Sequence, residues 1–134
     1  LPEYGVPTTA GTRVAAVEGP ASMHASDVVV PGDPSSAAFL VCASLLKPGS
    51  EITVENVSLN PARIGFVRTL ERMGAEVSVE HRGQEGKEPN GSIRVRYTEV
   101  LRGCEVPSQH IASIVDEIPV LSLVAAHARG VSCA

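Results

Sequence analysis

The sequence has 134 residues, 43% of them hydrophobic, which suffices for one core at the usual size of a single domain. A formal net charge of −4 without clustered Lys or Arg lacks the electrostatic footprint of a nucleic-acid or anionic-membrane partner. The longest mainly apolar runs, Ala37 to Leu46 and Ile118 to Ala126, are about half of what a bilayer-spanning helix requires.

Leu1-Pro2-Glu3 is not a natural start and no leader pattern follows it, so the chain is expected to be a piece of a longer protein. Thr12 to Val17 reads as a strand and Asp27 to Val30 as a short apolar one. Pro31-Gly32-Asp33-Pro34 then resists regular structure, and helix-start chemistry explains it. Asp33 can accept from the free amides of a first turn, and Pro34 at the first helical position gives up only an N–H that had no partner. The predicted helix runs from Pro34 to Leu46 and stops at Lys47-Pro48-Gly49. Its apolar residues lie on every side, the pattern of a helix covered all round.

Glu51 to Leu59 alternates as a strand with one apolar face. Asn60-Pro61 repeats the helix-start device, with Ile64, Val67, Leu70 and Met73 in a helical stripe and Gly74 as the closing residue. Glu76 to Glu80 and Ser92 to Tyr97 alternate again, and the polar run His81 to Asn90 predicts a hairpin with a long loop. A third, looser copy follows: Asp116-Glu117-Ile118-Pro119 leads into an apolar helix that closes at Gly130. From Asp27 the order is β-α-β-α-β-β, and residues 1 to 19 read as the tail of a preceding copy. One-faced strands with helices apolar all round imply helices inside and sheets outside.

Few side chains suggest chemistry on their own. Cys42, Cys104 and Cys133 are odd in number and widely separated; they indicate neither a disulfide framework nor a zinc site, and fit a reducing cytoplasm. His24, His81, His110 and His127 are scattered without ligand spacing. Ser35 and Ser36 lack a paired base and are assigned to first-turn amides. Arg63 and Arg68 are placed on a solvated face of the second helix, where a phosphate contact is the alternative. Asp116 reads as an N-cap and Glu117 as a favourable first-turn charge, since neighbours on a helix do not face each other.

Four motifs change that weighting. Val30-Pro31-Gly32-Asp33-Pro34-Ser35-Ser36-Ala37-Ala38-Phe39, Asn60-Pro61-Ala62-Arg63, Leu70-Glu71-Arg72-Met73-Gly74-Ala75 and Ile114-Val115-Asp116-Glu117-Ile118-Pro119-Val120-Leu121 resemble the enolpyruvyl transferases, and among them the 5-enolpyruvylshikimate-3-phosphate synthases. The resemblance covers essentially the whole chain; Ala62 departs from it, where the family more often has Thr. It implies an α+β, inverse α/β fold of β-α-β-α-β-β units with helices inside. Residues 1–29 then correspond to the C-terminal tail of an inserted domain, and 30–134 to part of a second domain with one complete unit over about 27–98.

The implied reaction moves the enolpyruvyl group of phosphoenolpyruvate to the 5-hydroxyl of shikimate 3-phosphate, in the shikimate pathway of chorismate and aromatic amino acid biosynthesis. It implies no metal or organic cofactor and a monomeric, cytoplasmic enzyme. Asp116 matches the family's Asp that binds the shikimate hydroxyls and is proposed as general base, so it is the candidate for both catalysis and substrate binding. The resemblance also implies segments not found here: N-terminal Lys and Arg motifs, a Ser-x-Gln segment, and Lys-Glu-Thr-Asp-Arg. The isolated chain is therefore expected to be inactive. Two other readings stay open: the sister transferase acting on UDP-N-acetylglucosamine, whose corresponding helix start typically reads Pro-Thr-Asp, and a stand-alone binding module without catalysis.

Overall fold

A computed structural model describes residues 8–10, 15–25, 27–85 and 88–133. Two units divide the chain, Leu1–Val30 and Pro31–Ala134. In the first, β1 (Thr8–Ala10) pairs antiparallel with β2 (Ala15–Val17). The expected strand over Thr12 to Val17 is thus observed only at its end, residues 12–14 lying outside the described residues. Asp27 to Val30 forms no strand, and these residues are exposed.

The second unit contains α1 (Pro34–Leu46), β3 (Glu51–Ser58), α2 (Gly65–Arg72), β4 (Glu76–Glu85), β5 (Glu88–Arg96), the single turn α3 (Ser108–Ile111), a 3-10 turn (Val115–Glu117) and α4 (Ile118–His127). β5 is the central strand, antiparallel to β3 on one side and β4 on the other. Alternation decides the faces. Ile93 and Val95 of β5 are buried, with Ile52, Val54, Val77 and Val79 of its neighbours packed against the same core. The opposite face carries a charged ladder in which Glu51 pairs with Arg94 and Arg96, Arg96 with Glu76, and Arg82 with Glu55. α1 covers β3 and β5, α2 approaches β4, and α4 packs beside α1. The sheet is therefore the outer layer and the helices the inner one, in line with the expected inversion.

Three local expectations need correction. β4 and β5 are paired out to Glu85 and Glu88, with an irregularity between His81 and Gly83, so the polar run is strand where a long loop was expected; antiparallel pairing satisfies the backbone of polar residues as well as apolar ones. α2 starts at Gly65 and not beside Asn60. Asn60 instead closes a turn, its Oδ1 accepting from the amide of Ala62 at 3.0 Å and its carbonyl from the amides of Arg63 and Ile64. α4 ends at His127, where Ala128 turns extended, short of Gly130.

Elsewhere the punctuation reads as expected. Asp33 caps α1 with Pro34 in the first turn. Gly74, at φ +81, sits just beyond α2, with its amide bonded to Glu71 and that of Ala75 to Leu70; this left-handed ending is the one Gly adopts at least cost. The all-round apolar character of α1 meets only part of its expected cover, since Ala38, Val41, Cys42 and Leu45 are buried whereas Phe39 and Leu40 are 59% and 57% exposed. Leu123 on α4 is equally bare at 59%.

Candidate functional site

Asp116 lies in the middle of the 3-10 turn that runs directly into α4. Its backbone conformation follows from what precedes it. Gly65 opens α2 against the 113–114 segment so closely that a Cβ there would stand 2.6 Å from the Ser113 carbonyl oxygen and 2.8 Å from Ile114 Cγ2. Ser113 is in turn held by its hydroxyl, which donates to the His110 carbonyl at 2.7 Å. Buried Ile114 anchors the segment in the core, and the next residues are carried out to the surface. The sequence therefore needs a Gly at the close approach and an apolar residue at 114 to present position 116.

A small cleft of about 60 Å³ results, lined by Ser35, Ala62, Arg63, Ser113, Asp116 and Glu117 among others. Three places distant in sequence meet there: the start of α1, the Asn60–Ile64 turn and the start of α4. Asp116 is exposed and makes no capping hydrogen bond, nor does any side chain cap α4. The N-cap reading thus fails at Asp116, because the helical backbone of Glu117 (φ −95, ψ −6) replaces the extended residue that capping needs. A carboxylate that caps nothing keeps its oxygens available to accept hydrogen bonds from a ligand's hydroxyls.

Around Asp116 the electrostatics are mixed. Arg63 donates from Nη2 to Asp33 Oδ1 at 2.7 Å, with Ser35 Oγ at 3.5 Å. Ser36 donates its amide and hydroxyl to Asp33 Oδ2 at 2.9 and 3.0 Å. These contacts hold the Asp33 carboxyl below the usual carboxylate range, the Ser36 amide contributing most and Arg63 adding to it. Glu117 is 4% exposed, so the adjacent acids have opposite surroundings. Burial, aided by the charge of Glu117, pushes the thiol of Cys42 up to about 12, which leaves that cysteine a packing residue at neutral pH.

Sequence reasoning found Asp116 and gave Asp33 its cap, but assigned other roles to three lining residues. Arg63 stands on the turn ahead of α2, ion-paired where a freely solvated face was expected; its partner is 30 residues away, and no local pattern reports such a pair. Ser35 faces Arg63 and does not serve a first-turn amide, and Ser36 donates to the cap. Glu117 carries no sequence signal of its burial. Arg68 is exposed on α2, as expected. None of His24, His81, His110 and His127 lines the cleft. Among the described residues no three His, Cys, Asp or Glu stand together to hold a metal ion, and no helix is long and apolar enough to cross a membrane.

The architecture and cleft can be set beside known proteins. The 3-phosphoshikimate 1-carboxyvinyltransferase of Gluconobacter oxydans is 51% identical over 123 residues, which cover 92% of this chain and 28% of that protein. The protein of the same name from Dinoroseobacter shibae is 41% identical over 128 residues, 96% of this chain and again 28% of its relative. In structure, EPSP synthase from Acinetobacter baumannii superposes with a TM-score of 0.88 at 30% identity, covering 97% of this chain and 30% of that one. The chain therefore spans about 28% of the length of the curated relatives it matches. A model of the EPSP synthase family (3-phosphoshikimate 1-carboxyvinyltransferase) matches residues 1–134, so the reading as a UDP-N-acetylglucosamine transferase is set aside and the chain belongs to the EPSP synthase family.

Proposed function

We propose that this chain supplies the general base, and part of the substrate site, of an enzyme that moves the enolpyruvyl group of phosphoenolpyruvate to the 5-hydroxyl of shikimate 3-phosphate. Family membership supports the reaction. The observation that carries the site is the uncapped carboxylate of Asp116, exposed in a cleft whose other acid, Glu117, is buried.

The chemistry needs such a group. As the attacking hydroxyl oxygen bonds to the enol carbon its proton passes to a carboxylate within hydrogen-bond reach, while the double-bond electrons take up a proton at the neighbouring methylene carbon and make it a methyl group; loss of a proton from that methyl then restores the double bond as the carbon–oxygen bond to phosphate breaks. A positioned base typically contributes about 10²- to 10⁴-fold. The same carboxylate, before accepting the proton, can hold the substrate hydroxyls as a hydrogen-bond acceptor.

Charge limits what the chain does alone. Arg63 is already neutralised by Asp33, and Asp116 and Glu117 add negative charge to the cleft. Two phosphorylated substrates call for several uncompensated cations, which the reading assigns to regions outside this chain. Residues 1–29 are assigned to the tail of the inserted domain and 30–134 to part of the second. The enzyme is proposed to act as a monomer in the cytoplasm, where the free thiols of Cys42, Cys104 and Cys133 would persist.

Asp116→Asn in the full-length protein tests the assignment. Phosphate release with both substrates should fall by about 10²-fold or more with folding intact, and a variant within a few-fold of the parent would discard it. Steady phosphate release by the 134-residue chain alone would overturn the account of charge.

A further inference from the structure

We propose that Arg63 is a positioning residue for the chemistry at Asp116: it ties the capped start of α1 to the turn that walls the Asp116 cleft. This inference rests on the reading of that cleft as the active site.

The carboxylate of Asp33 is divided between two tasks. Oδ2 receives the amide and hydroxyl of Ser36 and so closes the first turn of α1, while Oδ1 receives Arg63 at 2.7 Å. Behind Asp33, Gly32 is stapled to β3, its amide donating to the Asn56 carbonyl at 2.6 Å and its carbonyl accepting from the Ser58 amide at 2.9 Å. Arg63 itself is fixed at the backbone, since its amide donates to the Asn60 carbonyl at 2.8 Å. Two residues later Gly65 seats Ser113 and Ile114. A continuous set of contacts therefore runs from the start of α1, through the Arg63 guanidinium, to the segment that carries Asp116.

Geometry, not binding of substrate, is the role this arrangement supports. The guanidinium is engaged by a carboxylate, so it offers a substrate anion little uncompensated charge. The ion pair is half exposed, with side-chain exposures of 51% and 45%, and pairs of that kind contribute little to stability. Displacement of a catalytic group by about 1 Å, by contrast, can cost about 10²-fold in rate.

Asp33→Asn separates the two tasks of Asp33. Asn caps helices as well as Asp does, but with its oxygen closing the turn its NH2 takes the place of Oδ1 and presents donors, not an acceptor, to Arg63. In the full-length protein, Arg63→Ala and Asp33→Asn should each lower kcat by about tenfold while KM for either substrate stays within about threefold. The double variant should be no worse than the singles, since both remove one link, and Arg63→Lys should recover part of kcat. Thermal melting should move by no more than a few degrees. Unchanged kcat in Arg63→Ala, a rise in KM at constant kcat, or additive losses in the double variant would each overturn the proposal. Asp116→Asn in the same assay keeps the two claims apart. If it is inactive while Arg63→Ala is unimpaired, only the role of Arg63 falls; if it turns over normally, the cleft assignment falls and this inference with it.

Discussion

α1 and α4 both follow an acid, both hold a proline in the first turn and both are apolar on nearly every side, yet they use the acid differently. Asp33 is extended (φ −74, ψ 124) and turns its carboxylate back onto the Ser36 amide. Asp116 enters its helix through a 3-10 turn with helical backbone and caps nothing. The difference lies in the preceding residues. Gly32 is stapled to β3 and delivers Asp33 in the extended conformation that capping needs, whereas Ser113 and Ile114, pressed against Gly65, deliver a turn already wound. A capping carboxylate has its acceptor capacity engaged by its own helix. An uncapped one remains available to a ligand.

The harshest way to break this contrast is to remove what winds the second start. Gly65→Ala would place a methyl into the Ser113 carbonyl and Ile114 side chain. Because backbone must shift, the expected loss is about 1–3 kcal/mol, the usual range for overpacking, read as a lowered Tm or urea midpoint. Asp33 and its cap should be untouched, which the amide exchange rate of Ser36 would report. A variant as stable as the parent would mean that the 113–117 segment is not held by this contact.

Truncating each acid sharpens the contrast at a smaller scale. Asp33→Ala removes a working cap and should cost about 1 kcal/mol. Asp116→Ala removes an exposed acid without a capping bond and should stay within about 0.5 kcal/mol of the parent. Thermal or denaturant unfolding of the two variants side by side suffices. Equal losses would show that Asp116 caps α4 after all, and would weaken its assignment as a free base.

Whatever depends on neighbours in sequence could be read in advance. The cap at Asp33, the proline at 34, the closing Gly74, the alternating faces of β3 and β5 and the inward helices all follow from local chemistry or periodicity. The errors come from contacts that local pattern does not report, several of them between distant segments. Asn60-Pro61 looks like Asp33-Pro34 but forms a turn, because Gly65 must sit against Ser113 before α2 can begin. The polar stretch after Glu80 looked like a loop and is strand, its partner being β5. Asp116 was found as a site candidate only through resemblance, since local pattern alone assigned it to capping. Arg63 and Glu117 carry no local signal at all: one is defined by a partner 30 residues away, the other by burial under packed helices.

Acid titration gives the mildest test of the comparison, and its sign is fixed by the cap. The Ser36 amide, with Arg63 adding to it, lowers the Asp33 pKa in the folded chain from its ordinary 3.8. A carboxyl whose folded value is depressed stabilises fully above the unfolded value, about 3.9, and loses that contribution as pH falls through the folded one. The start of α1 should therefore hold unchanged down to about pH 4 and loosen only in stronger acid. In Asp33→Asn the cap persists without a titrating group, so its own acid dependence should lack this component. Carboxyl carbon shifts against pH would measure the midpoint directly. A midpoint for Asp33 at or above 3.8 would mean that its carboxylate is not held by Ser36 and Arg63 in solution, and the distinction between a capping and a free acid would lose its better-defined half.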